Sequence, residues 1–271
     1  MTRATLCDVL GPNHAVAGFV CLGWEDARAY VAAAEAEGAP VILQAGPGAR
    51  AHMPVAVWGA MFRALAEGAT VPVVTHLDHG ASYEDCAAAI DAGFSSVMFD
   101  GSKLPLEDNI ALTARIADMA RAAGVSSEGE IGYVGYAEGA ASQGTDPEEA
   151  ARFAAETGVD AMAVSVGNVH LQKQTGAGLD ETRLNAIRAL TNVPMVIHGG
   201  SGVPAAQRRA LALSGLVGKY NIGTEMRQAF GAALRAGLVA HPDRFDRIEI
   251  LRSTEAPLAE AARAVIRNLR A

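Results

Sequence analysis

A short apolar, β-branched run followed by an alanine-rich amphipathic stretch recurs eight times in this chain, and that alternation restricts its fold more than any other feature. The runs are GFVCLG, APVILQA, VPVVTHLDH, FSSVMFDG, GVSSEGEIG, DAMAVSVG, VPMVIHGG and GKYNIGT. Helical patterns lie between them. EDARAYVAAAEAEG is closed by Gly38, and TDPEEAARFAAETG is opened by Thr145 or Asp146 with Pro147 in its first turn. Eight strands alternating with eight helices is the count of an α/β (β/α)8 TIM barrel. The competing architecture is a doubly wound open sheet, but no G-x-G-x-x-G follows the first strand. No Pro/Ser-rich linker, low-complexity tract or long charge run divides the sequence, so one domain over residues 1–271 is expected. Its end, STEAPLAEAARAVIRNLRA, reads as an amphipathic helical extension over about 254–271, packed on its own barrel or forming an interface.

Half the residues are hydrophobic and only 5% aromatic, so the core must be built mainly from Ala, Val, Leu and Ile. A formal net charge of -8 argues against nucleic-acid or anionic-membrane partners and leaves room for a local basic site that binds a phosphorylated small molecule. Cys7, Cys21 and Cys86 are odd in number and unrelated in spacing, a poor disulfide framework. MTRATLCDVLG lacks the pattern of a signal peptide, and no run approaches the ~20 apolar residues of a membrane span. A soluble, reduced, cytoplasmic protein is expected.

In such barrels the chemistry gathers at the C-terminal strand ends. His79, Asp100, Glu130, His170, His198 and Asn221 fall at or just beyond the ends of strands three to eight. Three histidines from different strands suit zinc, which takes three protein ligands and keeps one position for substrate. Any one of them alone reads better as a hydrogen-bonded cleft residue; three at equivalent ends favour the metal. His76 is assigned to a different face from the immediate neighbours of His79 and to a supporting role. His14, His52 and His241 have no such context. Asp78 can share the mouth with His79 only if the chain turns at Leu77–Asp78. There it could shuttle a proton from a metal-bound hydroxyl, or else cap the helix near Ser82.

His198-Gly199-Gly200-Ser201-Gly202 precedes a helix opened by Pro204, and its successive glycines can form an anion-binding nest. NIGTE adds Asn221 and Thr224 at the neighbouring strand end, where barrels often hold phosphate. The segment from Glu128 to Pro147 is long for a βα loop and reads as a lid with Glu138 in its middle. Glu130, at the strand end, could orient a histidine, bind a metal or form a buried ion pair.

THLDHG, FDGSKLPLEDN, EGEIG, TDPEEAARFAAETGVDAMAVSVGNVH, VPMVIHGGSGVP and YNIGTE resemble, in order, segments of the class II (zinc-dependent) fructose-bisphosphate and tagatose-bisphosphate aldolases, from about Gly18 to about Phe230. The resemblance implies a lyase of carbohydrate metabolism that reversibly cleaves a ketose (bis)phosphate to dihydroxyacetone phosphate and an aldehyde through a zinc-stabilised enediolate. His79, His170 and His198 would hold Zn2+. Asp100 and Glu130 match positions tied to a second, alternative or structural metal site, for a divalent metal or a monovalent cation. Asp78 matches the aspartate that takes the C4 hydroxyl proton, Glu138 the loop acid at C3, and Asn221 the enediolate ligand. Gly199, Ser201, Asn221 and Thr224 match contacts of the dihydroxyacetone phosphate half, and Lys173 the lysine after the second zinc ligand. A homodimer or homotetramer is implied as well.

Several positions depart from the pattern. Leu171 stands where glycine is usual, with phosphate contact there through backbone; Lys103 stands where His or another polar residue is common; the lid is shorter and the familiar C-terminal tail is missing. These bear on the second metal and on the aldehyde half. The rivals are an aldolase of this type for another sugar or keto-acid phosphate, a Schiff-base aldolase using one of only three lysines (Lys103, Lys173, Lys219), and a barrel that binds sugar phosphates without turnover.

Overall fold

The structure, a computed structural model, describes residues 2–135, 141–172, 176 and 178–271. Eight parallel strands close into a barrel: β1 (Val16–Val20), β2 (Val41–Ala45), β3 (Val73–Gly80), β4 (Ser96–Phe99), β5 (Ser126–Ile131), β6 (Ala161–Val164), β7 (Met195–Ile197) and β8 (Lys219–Ile222). Each pairs with its sequence neighbours; β1 pairs with β8, so no edge is left. The helices that follow the strands are α1 (Trp24–Ala36), α2 (Val55–Gly68), α3 (Tyr83–Asp91), α4 (Leu106–Ala122), α5 (Pro147–Thr157), α6 (Glu181–Leu190), α7 (Ala205–Leu213) and α8 (Thr224–Ala240). The expected architecture is therefore present. Asp146 caps α5 by accepting from the amides of Glu148 and Glu149, and Pro147 fills its first position, where no N–H is needed.

Two further helices extend the frame, the short α9 (Arg247–Arg252) and α10 (Glu255–Asn268). The α10 stripe Leu258, Ala262, Val265 and Ile266 is buried, and Arg263 and Arg267 both reach Glu37 at the end of α1. A two-residue strand, Arg3–Ala4, pairs with Val73–Val74, and the turn Leu6–Val9 plugs the N-terminal end of the barrel. Two residues carry no readable period, so pattern alone gives no strand there. No described helix is long and apolar enough to cross a membrane.

The interior is layered. Val16, Ile42, Val74, Met98, Ala161, Ala163 and Val196 form an apolar floor. One layer up, Gln44, His76, Glu128 and Lys219 are buried polar groups. Gly18 makes room for them, because a Cβ there would lie 1.7 Å from Gln44 Oε1 and 3.1 Å from Lys219 Cε. Strand alternation thus puts His76 on the same inward face as Asp78, which corrects the sequence assignment of His76 to a different face from His79's neighbours. His79 is the residue that breaks the alternation.

Candidate metal centre and phosphate cleft

Ladder register shifts between Leu77 and Gly80, and His79 adopts φ +51. A non-glycine residue in this region costs roughly 1–2 kcal/mol and implies surrounding restraint. The bulge lets two consecutive side chains, Asp78 and His79, serve the same cleft. Ser82, not Asp78, caps α3 by accepting from the Asp85 amide, so the capping alternative for Asp78 fails.

The three strand-end histidines converge. Ring centroids of His79 and His198 are 4.6 Å apart, His79 and His170 5.2 Å, and His170 and His198 5.5 Å. One nitrogen of each lies within 4.8 Å of the others, close to the ~4.2 Å maximum for two ligands about 2.1 Å from one ion. His79, Asp100 and Glu130 form a second, overlapping set. The fit to a cation is supported by two buried atoms, His198 Nδ1 and Glu130 Oε2, which face each other at 3.3 Å without a hydrogen bond. Asp100 accepts from the hydroxyl and amide of Ser102 and sits 2.9 Å from His79 Nδ1. Burial alone would raise its pKa, but His79 and Ser102 hold it far below the usual carboxylate range.

Asp78 accepts from Asn221 Nδ2 at 3.0 Å. Burial works to raise its pKa, and the surrounding His79, His198 and Lys219 outweigh it, so the carboxylate stays ionised. Burial opposes charge on every histidine here. Glu128 and Glu130 nevertheless raise His198 to about 10, while His170, next to the other two rings, falls to about 3.

Beneath them runs a sealed network. Lys219 Nζ donates to Glu128 at 2.6 Å, the other Glu128 oxygen lies 3.2 Å from His198 Nε2, and His76 bridges Lys219 (3.3 Å) and Ser96 (2.8 Å). Facing an ammonium, His76 Nε2 must accept, so its proton is on Nδ1. Burial, with Lys219 second, lowers the His76 pKa to about 3. A group depressed from an unfolded value near 6.5 binds fewer protons when folded, so stability falls as pH drops below ~6.5. Between pH 7 and pH 5 this residue removes about 2 kcal/mol. Urea unfolding of His76→Gln is expected to show a pH 7-to-5 loss smaller by about that amount.

On the opposite wall, Gly199 has φ +66 and a Cβ there would stand 2.2 Å from Val169 O, so only glycine fits. Gly200–Gly202 forms a 3-10 turn, and Ser201 Oγ accepts from the amides of Gly223 and Glu225 at the start of α8. Gly199, Ser201, Asn221, Thr224 and the half-exposed Leu171 line a cleft of about 250 Å³ that also contains Asp78, His79 and His170. Leu171 has φ +56, so its side chain occupies a backbone conformation that suits glycine. The ends of the β5–α5 loop are pinned by backbone pairing of Tyr133 with Gln143, and Lys103 lies over the Tyr133 ring. Glu138 and Lys173 lie outside the described residues.

Sequence reasoning missed four contributors. Asn168 ties the β6 and β7 ends by donating to Val164 O and His198 O. Arg227 lines both the cleft and an adjoining 650 Å³ cavity bearing Trp24, Met61 and Phe230. Arg50 donates to the carbonyls of Asp78 and His79. Lys219, a Schiff-base candidate by residue type, is fully buried and held by Glu128. A lysine inside an apolar strand run was the one available signal.

Comparison with known proteins agrees with this geometry. The model of the class II fructose-bisphosphate aldolase family matches residues 2–271. A fructose-bisphosphate aldolase from Geobacillus stearothermophilus is 39% identical over 257 residues, 92% of this chain and 89% of that protein. A 6-phospho-5-dehydro-2-deoxy-D-gluconate aldolase from Shouchella clausii is 41% identical over 250 residues, 89% and 84% of the two chains. The crystal structure of the YdjI aldolase from Escherichia coli K12 superposes with a TM-score of 0.82 at 32% identity, covering 95% and 92%.

Proposed function

The chain belongs to the class II fructose-bisphosphate aldolase family, and from that premise we propose that it cleaves a ketose phosphate reversibly to dihydroxyacetone phosphate and an aldehyde at the His79–His170–His198 centre. The observation that carries this reading is the convergence of those three rings beside the buried Asp78 carboxylate. Zinc is the metal of choice, since three neutral imidazoles suit it. When bound, it supplies Lewis-acid stabilisation of negative charge on the ketone oxygen.

The protein's own groups do the rest. Asp78 takes the proton of the C4 hydroxyl as the C3–C4 bond breaks, and Asn221 fixes its carboxylate while offering Oδ1 and the remaining amide hydrogen to the substrate. Glu138 is the proposed acid that returns a proton to C3. The Gly199–Gly202 turn, Ser201, Thr224 and the α8 N-terminus form the phosphate seat, with Leu171 contributing backbone and Lys173 as a further cation. Asp100 orients His79, and Glu130 offers an alternative ligand position for the same cation or a second one. Arg227, at the junction of cleft and cavity, is placed to meet an anionic end of the aldehyde half. One of the two curated relatives is named for fructose bisphosphate, a ketose bisphosphate, and the other for 6-phospho-5-dehydro-2-deoxy-D-gluconate, a phosphorylated keto acid, which favours the dihydroxyacetone phosphate half over any particular aldehyde. The protein is proposed to work in the cytoplasm as a homodimer or homotetramer.

The test is cleavage of fructose 1,6-bisphosphate and tagatose 1,6-bisphosphate with metal content read on the same sample. Expected is activity that disappears with EDTA and returns with Zn2+. Bound zinc without cleavage of either sugar would redirect the aldehyde assignment, and EDTA-resistant cleavage would refute the metal centre.

A further inference from the structure

The strained turn that brings Asp78 and His79 to one cleft is held by a residue outside that turn. Arg50 sits in the short helix Pro47–His52 that follows β2, partly buried. Its Nη1 donates to Ala45 O at 2.6 Å and to Asp78 O at 2.6 Å, while Nη2 donates to His79 O at 2.9 Å. One planar guanidinium thus joins the end of β2 to two consecutive carbonyls of the β3 bulge. Those carbonyls belong to the residue with φ +51 and to the one before it, where the ladder skips from Leu77 to Gly80. The Arg50 helix is itself anchored: Trp58 Nε1 donates to Ala49 O at 3.1 Å. It also abuts the reacting group, since a Cβ at Gly46 would stand 3.3 Å from Asp78 Oδ2.

We propose that Arg50 is a positioning residue that fixes the left-handed turn at His79, so that the Asp78 carboxylate and the His79 ring address the same cleft. The physical reason is the fork of donors. The backbone conformation at His79 is unfavourable for a histidine, and carbonyls in a bulge are left partly outside the strand ladder. One guanidinium satisfies two of them together with the carbonyl at the end of β2, a set of directions that a single ammonium cannot match. Gly46, Pro47, Gly48 and Ala49 line the cleft, so the same clamp also links the cleft wall to the turn. Without it, the turn can relax toward the regular strand register, which swings His79 away from the face of Asp78.

This inference rests on the roles proposed above for Asp78 and His79, and its test separates the two. Arg50→Met and Arg50→Lys are compared with the parent and with Asp78→Asn, using kcat and KM for ketose-phosphate cleavage and the visible absorption spectrum of the Co2+-loaded proteins. For Arg50→Met the expected result is a kcat about 100-fold lower, the scale of an ångström-sized misplacement of a reacting group. KM should stay within about threefold, as the phosphate seat is on other elements. The cobalt spectrum should shift, at one Co2+ per chain. Arg50→Lys should recover part of both readouts, with kcat about tenfold below the parent. It carries the decision alone if circular dichroism shows Arg50→Met unfolded. Parent-like kcat and cobalt spectra in the folded variants, with Asp78→Asn inactive, overturn the role of Arg50 alone. Cleavage that survives Asp78→Asn overturns the assignment of Asp78, and the Arg50 proposal with it.

Discussion

Asp78→Asn is expected to lower kcat for ketose-phosphate cleavage by about a thousandfold, within the 10²–10⁴ range of a positioned general base. The substitution is close to isosteric, and the new amide oxygen can still accept from Asn221 Nδ2. What disappears is the charge that receives the C4 hydroxyl proton. Since the loss falls on a group used mainly in the transition state, kcat and kcat/KM should fall together with little change in KM. Metal content should be unchanged, because none of the atoms grouped around the candidate ion belongs to Asp78. A kcat within tenfold of the parent would remove Asp78 from the chemistry and leave it a buried partner of Asn221.

Lys219→Met is expected to destabilise the fold by about 3–5 kcal/mol, the scale for stripping one partner from a buried ion pair. Lys219 and Glu128 are both inaccessible to solvent, with 2.6 Å between nitrogen and oxygen. Burial works against the Glu128 carboxylate, and Lys219 is the largest influence that keeps its pKa well below the usual range. Without the ammonium, Glu128 must either take up a proton or remain an uncompensated charge; His198, which shares it, loses a fixed partner in both cases. The loss is a large fraction of the 5–15 kcal/mol typical of a domain, so urea unfolding of the metal-free protein resolves it readily. Adding Glu128→Gln to Lys219→Met should restore part of the stability, because a neutral amide is cheaper to bury than a lone carboxylate. A double variant no more stable than Lys219→Met would mean that volume, not charge, governs the site.

The sequence by itself determined the architecture and the chemical inventory. Eight apolar runs alternating with alanine-rich helical stretches suit a closed parallel barrel, and placing residues at strand ends identified His79, Asp100, Glu130, His170, His198 and Asn221 as one rim. These are local patterns with fixed periods, so they survive in one dimension. The barrel interior did not. Alternation along β3 places His76 and Asp78 together, but the bulge that adds His79 to their company lies in the shifted ladder between β3 and β4 and is met by the Arg50 guanidinium, which no period records. The Lys219–Glu128 pair joins positions separated by 91 residues, and Gly18 is needed only because Gln44 and Lys219 fill the space in front of it. Tertiary structure decided these points for one reason. Burial of charge, and the strain tolerated at His79, are favourable only where closure of the barrel brings distant partners within hydrogen-bonding distance.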